Sequence, residues 1–210
     1  MDDSIARQNI LNKISQALLN ATPMPHPTAH IPEYFFNPAQ ESLVPLFERK
    51  FTGLLGKFFL FESISALREQ LLHLIKENKW VNVSCTAGGI DQLLTDDLSP
   101  FSFTGNLYNS DVAITDCIYL VARTGTIVLG SNQPSGRALP VYAPIHIVIA
   151  NAQQIVFDLK DSIEKIISQG SESLPSTIVF ASGPSRTGDI EKTLVVGVHG
   201  PREVYVLMLS

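Results

Sequence analysis

An α/β domain built on an open, mostly parallel sheet with flanking helices is what this 210-residue chain predicts, on three observations. From residue 42 onward, short apolar runs alternate with stretches of helical period. The short runs are apolar on both alternating faces, as strands covered on two sides require. Hydrophobic residues make up 45% of the chain, enough for one well-buried domain, and two compact domains would fit tightly.

In chain order, SIARQNILNKISQALLN (residues 4–20) sets Ile5, Leu11, Ile14 and Leu18 at helical spacing among polar residues, which predicts one amphipathic helix. Pro23, Pro25, Pro27, Pro32, Pro38 and Pro45 follow. Each removes a backbone donor and fixes φ, so residues 22–38 are expected to form an extended arm without regular structure. Residues 1–41 therefore read as a helix with a proline-rich arm, and residues 42–210 as the domain. The domain opens with a helix at SLVPLFERKFTGLLG, a strand at KFFLF, a helix at SISALREQLLHLIKENK with Leu67, Leu71, Leu74 and Ile75 on one face, and a strand at WVNVSC. Strand-like runs follow at VAIT, IYLVA, TIVLG, HIVIA, TIVFA and EVYVLML, with a helix at DLKDSIEKIIS between the fourth and fifth.

Composition excludes several functions. Charged residues are only 17% of the chain, against a typical quarter, so part of the surface is expected to meet a partner or a second copy. A net charge of −5 without any Lys/Arg run argues against nucleic acid, whose phosphates need a basic stripe. No apolar stretch approaches the roughly 18 residues that cross a bilayer, and MDDSIARQNI lacks the basic-then-apolar order of a secretion signal. A cytoplasmic protein is expected. Cys85 and Cys117 stand far apart without CxxC spacing, so this chain's cysteines cannot by themselves hold zinc or an iron–sulfur cluster. No metal site and no cofactor are expected in this chain.

In parallel sheets, ligands gather at the carboxyl ends of strands, and four loops are expected there. In SGPSRTGDIE, Gly183 and Pro184 turn the chain, Ser185 or Thr187 can cap a following helix, and free amides with the Arg186 guanidinium would hold a small anion such as phosphate or carboxylate. A structural role is equally open, with Thr187 as the cap and Arg186 pairing with Asp189 or Glu191. His199 in GVHGPRE can exchange a proton near neutral pH or serve as a turn histidine, and Arg202 is an anion ligand or a solvated charge. The turn Thr124-Gly125-Thr126 and the loop carrying Ser135, Gly136 and Arg137 add hydroxyls and a second cation. His146, entering a strand after Pro144, reads as a partly buried structural histidine. CTAGGID has neither dinucleotide nor nucleoside-triphosphate loop spacing, and no GxSxG, HExxH or kinase motif is present. Ser182, Gly183, Ser185, Arg186, Thr187 and His199 are expected to share one cleft with the TGT and PSGR loops.

Together, TGTIVLGSNQPSGRALPVYAPIHIVIANAQQIVFDL and SGPSRTGDIEKTLVVGVHGPREVYVLML resemble the lactate-utilisation protein C family, which is built on the LUD domain. The ordered set Thr124-Gly125-Thr126, Pro144 with His146, Ser182 to Glu191, and Gly197 to Glu203 carries the likeness across nearly the whole second half. Two places depart from the family pattern: Arg123 stands where a carboxylate is commoner, and Ser135 and Arg137 fit loosely. The resemblance implies a fold like the NagB/RpiA/CoA-transferase superfamily. It also implies membership of an iron–sulfur system that oxidises L-lactate to pyruvate, with the clusters in partner subunits. Two functions follow from it: an accessory subunit of that complex, or a stand-alone enzyme of CoA-transferase-like fold acting on a phosphorylated or acyl substrate.

Overall fold

The computed structural model describes residues 3–19, 41–85, 102–103, 109–170, 173–187 and 195–210. The arm expected at 22–38, the glycine-rich stretch after Cys85, and Asp189 with Glu191 lie outside the described residues. The chain divides into a unit at 1–37 and a unit at 38–210. The first holds helix α1, Asp3–Leu18, on which the anticipated Ile5, Leu11, Ile14 and Leu18 are all exposed.

The second unit is α/β with a mostly parallel central sheet. Strands β1 (Lys57–Phe61), β2 (Asn82–Cys85), β3 (Ser102–Phe103), β4 (Val112–Thr115), β7 (Ile145–Asn151) and β12 (Glu203–Leu209) pair in the order β1-β12-β7-β4-β2-β3, every pair parallel. Helix α3, Ile64–Glu77, starts where the Ser63 hydroxyl accepts from the Ala66 amide. It lays Leu67, Leu71, Leu74 and Ile75 on one sheet face, against Val83, Val112, Ile114, Ile147 and Leu207. Alternation sends Val204, Val206 and Met208 to the other face, where α2 (Leu43–Gly53) supplies Leu46, Phe47 and Phe51. That two-sided burial is why β12 reads as an unbroken apolar run.

The single open sheet expected from the strand pattern is corrected in one respect. β5 (Tyr119–Val121), β6 (Thr126–Gly130), β8 (Ile155–Val156) and β9 (Ile178–Ala181) form a separate four-stranded sheet in the order β8-β5-β6-β9. Only the turn Ala122–Gly125 separates β5 from β6, which is too short for a parallel crossover, so they pair antiparallel; β9 then adds antiparallel to β6. This second sheet packs Leu120, Ala122, Ile127 and Leu129 into the same core as α2. Its outer side, through Val121, Val128 and Val156, is covered by Ile166 of helix α5 (Leu159–Ser168). A short helix α4, Leu139–Tyr142, leads into β7.

Candidate functional site

The hydroxyl-rich loops converge first on the C-terminal end of α2. Gly125 turns at φ +61°, and a Cβ there would stand 2.6 Å from the Phe51 nitrogen, so only glycine lets the turn lie on the helix backbone. Thr124 Oγ1 and Thr126 Oγ1 are 2.7 Å apart, and Thr126 Oγ1 and Ser182 Oγ are again 2.7 Å apart, a chain of hydroxyls joining the hairpin turn to the end of β9. Gly183, at φ +79°, brings its α-carbon so close that a Cβ would meet the Leu54 carbonyl oxygen at 2.5 Å. Arg186 donates from Nη2 to that same oxygen. Leu54 is the C-cap of α2, where carbonyls lack helical partners and the dipole is negative.

No helix follows Ser185 as the cap reading expected. Arg186–Thr187 is instead strand β10, paired antiparallel with β11, Val195–Val196. Thr187 is therefore a strand residue, and Arg186 meets a helix C-terminus, a pole that attracts cations, in place of the amide-rich N-terminus that would attract an anion.

The second convergence lies at the amino ends of β7 and β12. The Ser185 amide donates to the Pro201 carbonyl, and the Ser185 carbonyl accepts from the Gly197 amide, both at 2.9 Å. The Pro144 carbonyl accepts from the Arg202 amide at 2.8 Å and from the Glu203 amide at 3.4 Å. Gly200 packs on Ser185, and Gly197, at φ +81°, packs on Arg202. Between this turn and α4 opens a pocket of about 420 Å³ lined by Val141, Tyr142, Pro144, Gly197, Val198, His199 and Gly200. His199, Arg202 and Arg137 are exposed.

The cleft expected at the carboxyl edge thus lies elsewhere. SGPSR does follow a strand, β9, but β9 belongs to the antiparallel sheet, and the chain leaving it reaches β12 from the amino side. TGT, Ser182, Gly183 and Arg186 gather at the end of α2. Ser185, His199 and Arg202 gather at the pocket, with Arg137 just ahead of α4. Ser135 joins neither group by a described contact: its turn bonds inward, Gly136 amide to Gln133 carbonyl and Gly130 amide to the Gln133 side chain.

Sequence reasoning missed three polar clusters. Arg123 pairs with Asp158, the N-cap of α5, at 2.7 and 3.1 Å, and holds that carboxyl below its usual range. Lys57 Nζ lies 2.6 Å from Glu203 Oε2 and 2.7 Å from the Tyr205 hydroxyl. His146, read as a structural histidine, is buried with Nε2 2.8 Å from Thr115 Oγ1; burial pushes its pKa down to about 4. Among the described residues, no group of three or more His, Cys, Asp or Glu is placed to hold a metal ion. No helix among them is long and apolar enough to cross a membrane.

A parallel sheet backed by a second sheet, with glycine-dependent loops pinned to the end of one helix and a shallow pocket beside them, defines an α/β domain of ligand-binding type. The chain belongs to the LUD domain family, whose model matches residues 44–209. It is similar to lactate utilization protein C of Deinococcus radiodurans, 36% identical over 105 residues that cover 50% of this chain and 49% of that protein. The protein of the same name from Bacillus pumilus is 42% identical over 94 residues, 43% of this chain and 39% of the relative. That from Bacillus subtilis is 37% identical over 104 residues, 48% and 43%. The chain spans about half the length of the curated relatives it matches. Among solved structures, a DUF162 family protein from Deinococcus radiodurans superposes with a TM-score of 0.58 at 20% identity, covering 80% of this chain and 96% of that one, and so shares the fold.

Proposed function

We propose that this chain acts in lactate utilisation, as the LUD-domain subunit of an assembly that oxidises L-lactate to pyruvate. In this reading the electrons pass to iron–sulfur clusters in partner subunits, and the complex works in the cytoplasm. The observation that carries it is the LUD family match together with several relatives, at 36–42% identity, that bear the name lactate utilization protein C.

The part assigned to this chain is to hold a small carboxylate at the His199 pocket. The amides of Val198, His199 and Gly200 donate to no backbone carbonyl among the described residues, so they are available to an anion, with the His199 imidazole beside them. Val141 and Val198 would shield the methyl end of a lactate-sized ligand, and Arg202 at the rim would favour its charge.

The test is affinity purification of the tagged chain from its own cells, followed by metal analysis and an L-lactate oxidation assay. The proposal expects an assembly containing an iron–sulfur protein that oxidises L-lactate, with the isolated chain inactive. Turnover of a phosphorylated or acyl substrate by the isolated chain would favour the stand-alone enzyme instead.

A further inference from the structure

We propose that the carboxyl ends of β2 and β4 carry a second site, one that takes a ligand through adjacent hydroxyl donors, a cis-diol of the sugar or nucleoside class, with Asp116 as acceptor. It goes beyond the reading above and lies on the opposite edge of the parallel sheet from the His199 pocket.

Topology supplies the first argument. From β2 the chain moves outward to β3, whereas from β4 it returns inward to β7 and then β12. The strand order therefore reverses between β2 and β4, and ligands of open α/β sheets bind outside the carboxyl ends at such a reversal. Asp116 is the first residue beyond β4.

Unmet hydrogen-bonding capacity supplies the second. Asp116 is half-buried, and burial raises its carboxyl above the usual range; its one side-chain partner is Gln133, and no lysine or arginine among the described residues acts on it. A carboxylate accepts about four hydrogen bonds, so most of this capacity is unused. Two residues beyond Gln133, in the same turn, the Ser135 hydroxyl is 6% exposed at the residue level and has no partner among the described residues. A buried hydroxyl left this way costs free energy that a ligand would recover. Below them the strand end is fixed: Thr115 Oγ1 donates to the Asp116 carbonyl at 2.9 Å, which leaves His146 Nε2 as the donor to Thr115.

The chemistry narrows the ligand. An anion meets a carboxylate without a compensating cation, and a hard metal ion wants several carboxylate oxygens where one carboxylate is described. Paired hydroxyls satisfy the two oxygens of one carboxylate and leave an acceptor for Ser135.

The experiment follows amide signals of the ¹⁵N-labelled full chain as methyl β-D-ribofuranoside or its 2-deoxy analogue is added. Saturable shifts at residues 115–117 and 133–136 are expected with the ribofuranoside. The analogue, lacking one of the paired hydroxyls, should bind about tenfold more weakly or worse. Asp116→Asn should weaken the ribofuranoside by a similar factor with melting unchanged; if that variant unfolds, the two sugars on the unaltered chain decide. No saturable shift at those amides, equal affinity for both sugars, or an equal response to L-lactate or inorganic phosphate overturns the proposal.

Discussion

Arg186 donates its guanidinium to the carbonyl oxygen of Leu54, a residue 132 positions earlier that caps the C-terminus of α2. The bond ties the end of the second sheet to a helix of the core and satisfies a carbonyl that the helix leaves open. Arg186→Ala should therefore lower stability by about 1 kcal/mol, visible as a fall in Tm. Arg186→Lys should recover part of it, because a point charge at the helix end remains. An alanine variant with unchanged Tm and weakened carboxylate binding would show that the arginine serves a ligand after all.

The glycines of the same region separate two costs. Gly125 and Gly136 both have positive φ, but a Cβ at Gly125 strikes the α2 backbone whereas one at Gly136 meets nothing within 4 Å. Gly136→Ala should cost only the left-handed conformation, about 1–2 kcal/mol. Gly125→Ala should cost clearly more, since the hairpin must also move off the helix. Denaturant midpoints of the two variants make the comparison, and equal losses would contradict the packing at Phe51.

Much of this architecture was legible in the sequence. Leu67, Leu71, Leu74 and Ile75 announced their shared face by helical spacing, and β12 announced its two-sided burial by an unbroken apolar run. What period cannot show is which sheet a strand joins: TIVLG reads as a parallel strand until the short turn before it is seen to force a hairpin. Nor can it show partners distant in sequence, so the Arg186 contact with Leu54 and the Arg123 contact with Asp158 went unseen. The site motifs were found, but placing them on the carboxyl edge assumed that every strand belonged to one sheet.

Acid should destabilise the protein through His146. Its pKa in the folded chain is pushed down to about 4, below the value of about 6.5 for an unfolded histidine. The unfolded state therefore binds the proton first, so stability is full above about pH 6.5 and falls as pH drops toward 4, by about 3 kcal/mol in all. His146→Gln should flatten that segment of a stability-against-pH curve. An unchanged slope would mean that the buried imidazole is not the group responsible.

At lower pH the ion pair of Arg123 and Asp158 should give way. The arginine's hydrogen bond holds the Asp158 carboxyl below its usual range, so this contribution is present above about pH 4 and is lost as pH falls through the depressed value. Arg123→Ala should cost about 1–3 kcal/mol at neutral pH and almost nothing once Asp158 is protonated. A double-mutant cycle with Asp158→Asn, run at neutral and acid pH, reads the coupling directly.

The central claim, a part in lactate utilisation, is tested most directly by L-lactate-dependent reduction of an artificial electron acceptor in anaerobic extracts from cells with and without this chain. The account predicts that pyruvate formation is lost when the chain is deleted and returns when the full-length chain is supplied. A variant with His199 replaced by Ala should restore it poorly while remaining folded. Undiminished lactate oxidation in the extract that lacks the chain would contradict the account.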